Sequence, residues 1–180
     1  MHMTGAWFLL IFAALATAGM LLFLRLTRLG ELVHARIPDR PRRRLFLASV
    51  SFFVTFLGVR LLVAAITHHI GPFGWVEFGG RHIHHLVWGI LILLLVGYAW
   101  LAEAGSGSSA TSIFISRLLA ILYGVGAALT LDEFALWLNL ADVYWSPQGR
   151  ESIDAIIHFG AALSIGAWGA PFFKGVARKK

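Results

Sequence analysis

The chain has 180 residues, of which 58% are hydrophobic and 13% are charged, and its mean hydropathy is +0.77. Because soluble domains carry about 25% charged residues, this composition disfavours a soluble globular protein and favours one membrane-embedded bundle. The formal net charge is +6, but the basic residues flank apolar segments, so they indicate membrane orientation and exclude nucleic acid as a partner. The absence of cysteine excludes disulfides and thiolate metal sites.

Five apolar segments follow one another along the chain, each near the roughly 20 residues that a helix needs to cross a bilayer. They comprise residues 5–24, 45–66, 84–101, 113–133 and 153–173. The sequence therefore predicts an all-α fold, a polytopic membrane protein whose residues 1–180 form a single transmembrane domain of five transmembrane helices. No Lys or Arg precedes the first segment, which argues against a cleaved signal peptide.

The basic residues predict how this bundle is oriented. Seven arginines lie between Arg25 and Arg44, and Lys174, Arg178, Lys179 and Lys180 follow the last apolar segment. Positively charged loops stay in the cytoplasm, so we expect the N-terminus outside and the C-terminus inside. The predicted location is a cell membrane, with the lipid bilayer as the main partner and other membrane subunits as a second class of partner.

Arg60 interrupts the second apolar segment and predicts an ion pair inside the bundle. A charge at that depth pairs with a carboxylate or lines a wet cavity. Gly124, Ala128 and Asp132 are spaced four apart, and small residues on one helix face allow close helix contact, so we expect Asp132 to point inward. Asp132 and its neighbour Glu133 are the acids nearest to Arg60 by depth, and one of them is its predicted partner.

Three imidazoles stand within four residues, at His82, His84 and His85, just where the third apolar segment begins. Imidazoles together with carboxylates are suitable ligands for zinc or iron, and a catalytic zinc site uses three protein ligands with one open position. A divalent metal held by His85, Asp132 and His158 is therefore one hypothesis. His82, Glu133 and Asp154 are alternates or neighbours that would orient a ligand.

Several functions fit this group of residues. In a metal hydrolase acting on a lipid-like substrate, Asp132, Glu133 or Asp154 would be the general base. In a non-catalytic accessory subunit of a larger membrane complex, the histidines, including His82 and His84, would ligate haem or a chlorophyll-type pigment, or nothing. A solvated histidine patch at the membrane surface and a proton relay or pH sensor are two further interpretations.

Residues 134–145 mix large apolar side chains with Asn139, Asp142 and Tyr144. This composition is typical of a segment that lies along the membrane interface. We expect this 134–145 segment to extend the fourth helix at the outer surface and to cover the histidine cluster.

Two stretches carry a family resemblance: RHIHHLVWGI (Arg81–Ile90) and TLDEFALWLNLADVYW (Thr130–Trp145), the latter followed by a Ser-x-x-x-Arg-x-Ser-x-Asp pattern ending at Asp154. They resemble a group of uncharacterised prokaryotic integral membrane proteins, over the C-terminal two-thirds of the chain, which implies a multi-pass membrane protein and no particular activity. The chemistry is also similar to that of transmembrane zinc hydrolases of the alkaline ceramidase and adiponectin receptor type. Those hydrolases have seven helices and a spaced HxxxH motif, which this chain lacks.

Overall fold

The computed structural model describes residues 15, 17–23, 25–26, 33, 36–37, 39–72, 74, 77–78 and 81–168. The helices are α1 (Arg40–Thr67), α2 (His85–Leu101), α3 (Ala110–Leu131), α4 (Phe134–Asn139) and α5 (Arg150–Trp168). Between α1 and α2, the two-residue strands β1 (Glu77–Phe78) and β2 (Arg81–His82) pair antiparallel, and a 3₁₀ turn at Pro147–Gly149 leads into α5. The described part of the chain is thus helical apart from this short strand pair, its turns and its loops.

Local sequence signals mark several helix ends. Pro41 lies in the first turn of α1, where its missing N–H costs nothing. The Ser109 side chain accepts a hydrogen bond from the Ser112 N–H at 3.1 Å and so caps α3. At the end of α4, Leu140 adopts a left-handed backbone conformation, with φ of 49°, which turns the chain away from the helix axis.

The second to fourth predicted segments correspond to α1, α2 and α3. Helix α1 begins five residues before the predicted segment. A second difference lies near residue 132, where the fourth helix was predicted to run to residue 133 and to continue into the 134–145 segment. Helix α3 instead ends at Leu131, and the short α4 follows two residues later. The fifth segment corresponds to α5 as far as Trp168, and its remainder lies outside the described residues. Most of the first segment also lies outside them, but its described residues between 15 and 23 are helical.

Two described helices, α1 with 28 residues and α3 with 22, are long and apolar enough to cross a membrane. Helix α2 is also apolar but has 17 residues. These lengths support a membrane association only weakly, since a buried core helix of a soluble protein has the same properties. The described residues thus contain two candidate membrane-spanning helices, compared with the five that the sequence predicts.

Helix α3 lies at the centre of the bundle, packed against α1 on one side and α2 on the other, while α5 packs on α1. Glycine allows the close approach to α1, because a Cβ atom at Gly124 would overlap the carbonyl oxygen of Ala48. Gly89 of α2 and Gly126 of α3 make a similar close contact. Gly124, Ala128 and Asp132 are all buried, so the inward-facing stripe predicted from their spacing is confirmed.

The long helices alternate in direction, which separates the ionisable residues into two groups. At one end, Arg44 Nη2 donates to Gly105 O beyond α2 at 3.0 Å, and Arg42 Nε donates to Ala167 O near the end of α5 at 2.8 Å. We call this the basic end. Arg60 lies 16 residues further along α1, about 24 Å away at the helical rise. That opposite end, which we call the histidine end, contains His84, His85, Asp132 and Glu133. Among the described residues, the basic group and the His/carboxylate group thus lie at opposite ends of the bundle.

Candidate functional site: a buried ionic network

Asp132 is the innermost ionisable residue of the histidine end. It follows the last residue of α3, and its side chain is fully buried. Arg60 of α1 donates from Nε to Asp132 Oδ1 at 2.5 Å. The ion pair predicted for Arg60 is therefore confirmed, with Asp132 as its partner. Because a buried charge is costly unless it is paired, this contact explains how both groups are accommodated in the bundle.

The second oxygen of Asp132 accepts from two further groups. His85 Nε2 lies 3.0 Å from Oδ2, and the Tyr144 hydroxyl donates to the same oxygen at 2.8 Å. Asp132 thus connects the end of α3 to α1 through Arg60, to α2 through His85, and to the 134–145 segment through Tyr144. Both carboxylate oxygens are occupied.

Glu133 has a comparable set of partners and is only 7% exposed. Its Oε1 lies 2.7 Å from His84 Nδ1, while its Oε2 accepts from the Leu86 N–H at 3.0 Å. The second contact places a carboxylate at the N-terminal turn of α2, where unpaired N–H groups and the helix dipole favour negative charge. Glu133 therefore fixes the start of α2 relative to the end of α3.

His85 bridges the two carboxylates with its two ring nitrogens. In addition to the contact between Nε2 and Asp132, its Nδ1 lies 3.5 Å from Glu133 Oε1. A neutral imidazole has one N–H and one lone pair, whereas an imidazolium donates from both nitrogens. The 3.0 Å contact with Asp132 is a hydrogen bond, whereas the 3.5 Å contact places Nδ1 beside Glu133, which His84 also contacts at 2.7 Å. Arg60, His84, His85, Asp132, Glu133 and Tyr144 are referred to below as the ionic network.

Tyr144, near the end of the 134–145 segment, is the last member of the network. Burial, and next the nearby charge of Asp132, raise the pKa of Tyr144 above its usual 10.0. Its hydroxyl therefore remains a donor to Asp132. The Arg60 guanidinium carbon lies 4.3 Å from the centre of the Tyr144 ring, close enough for a cation–π contact.

The rest of the 134–145 segment lies beside His84, in partial agreement with its predicted covering role. His84 and five residues of the segment line an open groove of about 530 Å³: Leu136, Trp137, Leu140, Ala141 and Asp142. The segment is attached to α5, because the Ala135 N–H donates to the Ser152 hydroxyl at 2.9 Å. It is therefore held by Ser152 near its start, by Glu151, whose Oε2 accepts from Asn139 Nδ2 at 2.9 Å, and by Asp132 near its end.

The predicted metal ligands do not all meet. His85 and Asp132 are in contact, but His158 is exposed, and its Nδ1 lies 2.6 Å from the backbone oxygen of Asp154 on its own helix. Among the described residues, no three His, Asp or Glu side chains are arranged to hold a metal ion. The three predicted metal ligands therefore do not come together: His85 and Asp132 are buried between the helices, whereas His158 is exposed on α5.

The other predicted site residues, Asp154, His82 and His84, lie in three different environments. Asp154 is exposed, and the contact with His158 is made by its backbone and not by its carboxylate. His82 does not share a helix face with His85, since α2 begins only at His85 and His82 belongs to β2, where its backbone alone is described. His84 is held by Glu133. Ligation of a tetrapyrrole by His82 or His84 stays a prediction, as does catalysis by Asp132, Glu133 or Asp154.

The sequence did not single out Tyr144 as a network residue. Tyr144 lies twelve residues after Asp132 in a stretch rich in aromatic residues, and no helical periodicity in the sequence links the two. The turn after α4 brings the two together, and its left-handed Leu140 carried no glycine or proline signal.

Comparison with known proteins identifies no family for this chain. No protein-family model matches the chain, and no curated protein or solved structure matches it either. The site geometry alone therefore supports the functional argument.

The pairing of Arg60 with Asp132 gives a first prediction. Replacing Arg60 with Leu leaves the buried carboxylate without its cation and should lower the free energy of unfolding by about 3–5 kcal/mol. The double variant Arg60→Leu/Asp132→Asn should recover part of that loss, measured by unfolding in detergent micelles. Arg150→Leu is the matched control, because Arg150 is exposed at the start of α5, and should change stability by less than about 0.5 kcal/mol. Strictly additive effects of the two network substitutions would contradict the pairing.

The raised pKa of Tyr144 gives a second prediction. The chain has three tyrosines, and ultraviolet absorbance follows their ionisation. Up to about pH 11, the folded parent and the Tyr144→Phe variant should give the same tyrosinate signal, since Tyr144 stays protonated. On unfolding, only the parent should gain an additional tyrosinate. Because the unfolded state then loses a proton that the folded state retains, the parent's stability should fall more steeply above about pH 10 than that of the variant. A smaller signal in the folded variant would show that Tyr144 ionises normally.

Proposed function

We propose that this chain is a polytopic integral membrane protein, in the cytoplasmic membrane of a prokaryote. The exposed side chains support this proposal more strongly than helix length does. Large apolar residues are exposed along α1 and α2: Val50, Phe53, Val54, Leu57, Leu61, Val87, Leu91, Leu94, Leu95 and Leu101. Soluble monomers rarely expose contiguous apolar faces of this kind, whereas lipid covers them without cost.

The alternating helices support an orientation as well. Positively charged ends of membrane bundles face the cytoplasm, so we place the basic end inside and the histidine end outside. Helix α1 then runs outward, α2 inward, α3 outward and α5 inward, which leaves the C-terminal side of α5 in the cytoplasm. A further helix over residues 5–24 completes five crossings, with the N-terminus outside.

Cysteine labelling tests this topology, and the chain's lack of cysteine makes each introduced thiol unique. Gln148→Cys, in the 3₁₀ turn at the histidine end, should react with a membrane-impermeant maleimide added to intact cells with a permeable outer envelope. Gly107→Cys, between α2 and α3 at the basic end, should react only after the membrane is disrupted. Labelling of both positions from the same side would show that the bundle does not span the bilayer.

Within this membrane protein, we propose that the ionic network is a protonation-dependent clasp and that the chain is a non-catalytic membrane subunit. The supporting observation is the position of His85 between two buried carboxylates. Every oxygen of Asp132 and Glu133 already accepts a hydrogen bond or an ion-pair contact. Carboxylates occupied in this way are poorly suited to activating water, which disfavours the hydrolase interpretation.

Protonation of the network should control how firmly the 134–145 segment is held. The groups that face His85 are Asp132 and Glu133, with Arg60 of α1 and Tyr144 beyond Asp132 and His84 beyond Glu133. When His85 is deprotonated, one of its ring nitrogens presents a lone pair to a carboxylate oxygen in a site with little water. That repulsion should loosen the end of α3 and, through Tyr144, the 134–145 segment.

Spin labelling tests the clasp. A label on Ala141→Cys, which is exposed next to the groove, should become more mobile as the pH is raised, since imidazole is the side chain that changes charge in the physiological range. The additional double change His84→Gln/His85→Gln should abolish this response, because neither amide titrates. His158→Gln is the matched control and should leave the response intact, since His158 is exposed on α5 outside the network. A pH response that disappears in His158→Gln but survives the double change would contradict the clasp.

A further inference from the structure

The basic end contains a pocket that the ionic network does not involve. Four arginines line it, three from the first turns of α1 and one from α3: Arg40, Arg43, Arg44 and Arg117. Its cavity is small, about 20 Å³, and has an open mouth. Like charges are close enough to act on one another, because both Arg117 and Arg40 influence Arg43 electrostatically. Such a concentration of positive charge is unfavourable unless an anion balances it.

Among the described residues, the hydrogen bonds of these guanidiniums go to neutral acceptors. Arg44 Nε donates to the buried hydroxyl of Ser116 at 2.8 Å, and its Nη2 donates to Gly105 O. Arg40 donates to the carbonyls of Gly105 and Ser106, and Arg43 donates to Ile37 O at 3.1 Å.

Among the described residues, Asp39 at the start of α1 attracts Arg43. The ion pairs of Arg60, His84 and His85 lie at the opposite, histidine end, about 24 Å away along α1. A guanidinium has five N–H donors, and the described bonds of Arg43 and Arg44 use fewer. The pocket is therefore pre-arranged for an additional anion.

We propose that this pocket binds the phosphate of an anionic phospholipid headgroup. Guanidinium groups match phosphate oxygens in charge and geometry. The remaining lining residues include Val33, Leu47 and Ile113, so apolar side chains stand next to the charged ones, as a glycerophospholipid requires. Basic pockets between helices at the cytoplasmic surface are typical positions for such headgroups. The choice of lipid as the source of the phosphate rests on the proposed membrane location, whereas the anion pocket itself does not.

Calorimetric titration of the full chain in a non-ionic detergent tests this assignment with four probes: dihexanoyl phosphatidylglycerol, dihexanoyl phosphatidylcholine, glycerol phosphate and inorganic phosphate. Phosphatidylglycerol should bind most tightly. Phosphatidylcholine should bind at least about tenfold more weakly than phosphatidylglycerol, because its choline brings a positive charge towards the arginines. Glycerol phosphate and inorganic phosphate should also bind more weakly, since they lack the apolar contact. Equal affinity for glycerol phosphate and phosphatidylglycerol would overturn the lipid assignment.

Matched variants identify the pocket as the binding site. Arg43→Gln/Arg117→Gln removes two charges but none of the contacts of Arg40 and Arg44, and it should weaken phosphatidylglycerol binding about tenfold or more. Arg42→Gln is the control, because Arg42 lies in the same turn of α1 but donates to Ala167 O instead of lining the pocket. An equal loss in this control, or no loss in the double variant, would overturn the pocket. If cysteine labelling contradicts a membrane span while phosphate still binds through Arg43 and Arg117, the membrane proposal fails and the anion pocket stands.

Discussion

A carboxylate that is fully removed from solvent has to be paired, and Asp132 is paired with groups from three other parts of the chain. Arg60 contributes the opposite charge, while His85 and Tyr144 contribute hydrogen bonds to the remaining oxygen. Since removal of one partner of a buried ion pair typically costs about 3–5 kcal/mol, the end of α1, the start of α2 and the 134–145 segment are all fixed by this one side chain. The positions of Glu133 and His84 follow from the same arrangement.

This constraint also accounts for the division of the molecule into two ends. Close glycine contacts hold α3 against α1 and α2 along their length, while charged groups are confined to the helix ends. At the histidine end the positive and negative groups compensate one another inside the protein. At the basic end the described hydrogen bonds of Arg40 and Arg44 go to neutral oxygens. The proposed proton-responsive clasp and the proposed lipid-binding pocket correspond to these two ends.

The sequence was informative where depth and periodicity determine contacts. The four-residue spacing of Gly124, Ala128 and Asp132 predicted the inward face of α3, and the need of Arg60 for a carboxylate predicted its pairing. The sequence was uninformative where a turn decides which residues meet. It predicted one helix through residue 133, so it could not place Tyr144 beside Asp132. It also grouped His158 with His85 and Asp132 as metal ligands, although His158 is exposed on α5.

Solid-state NMR of the protein in lipid, with ¹⁵N-labelled histidine and ¹³C-labelled carboxyl groups, tests the central claim most directly. The His85 signals are identified by their loss in His85→Gln. We predict that His85 Nε2 lies close to the Asp132 carboxyl carbon and Nδ1 close to that of Glu133. A His85 ring with no correlation to the Asp132 carboxyl would contradict the central position of Asp132.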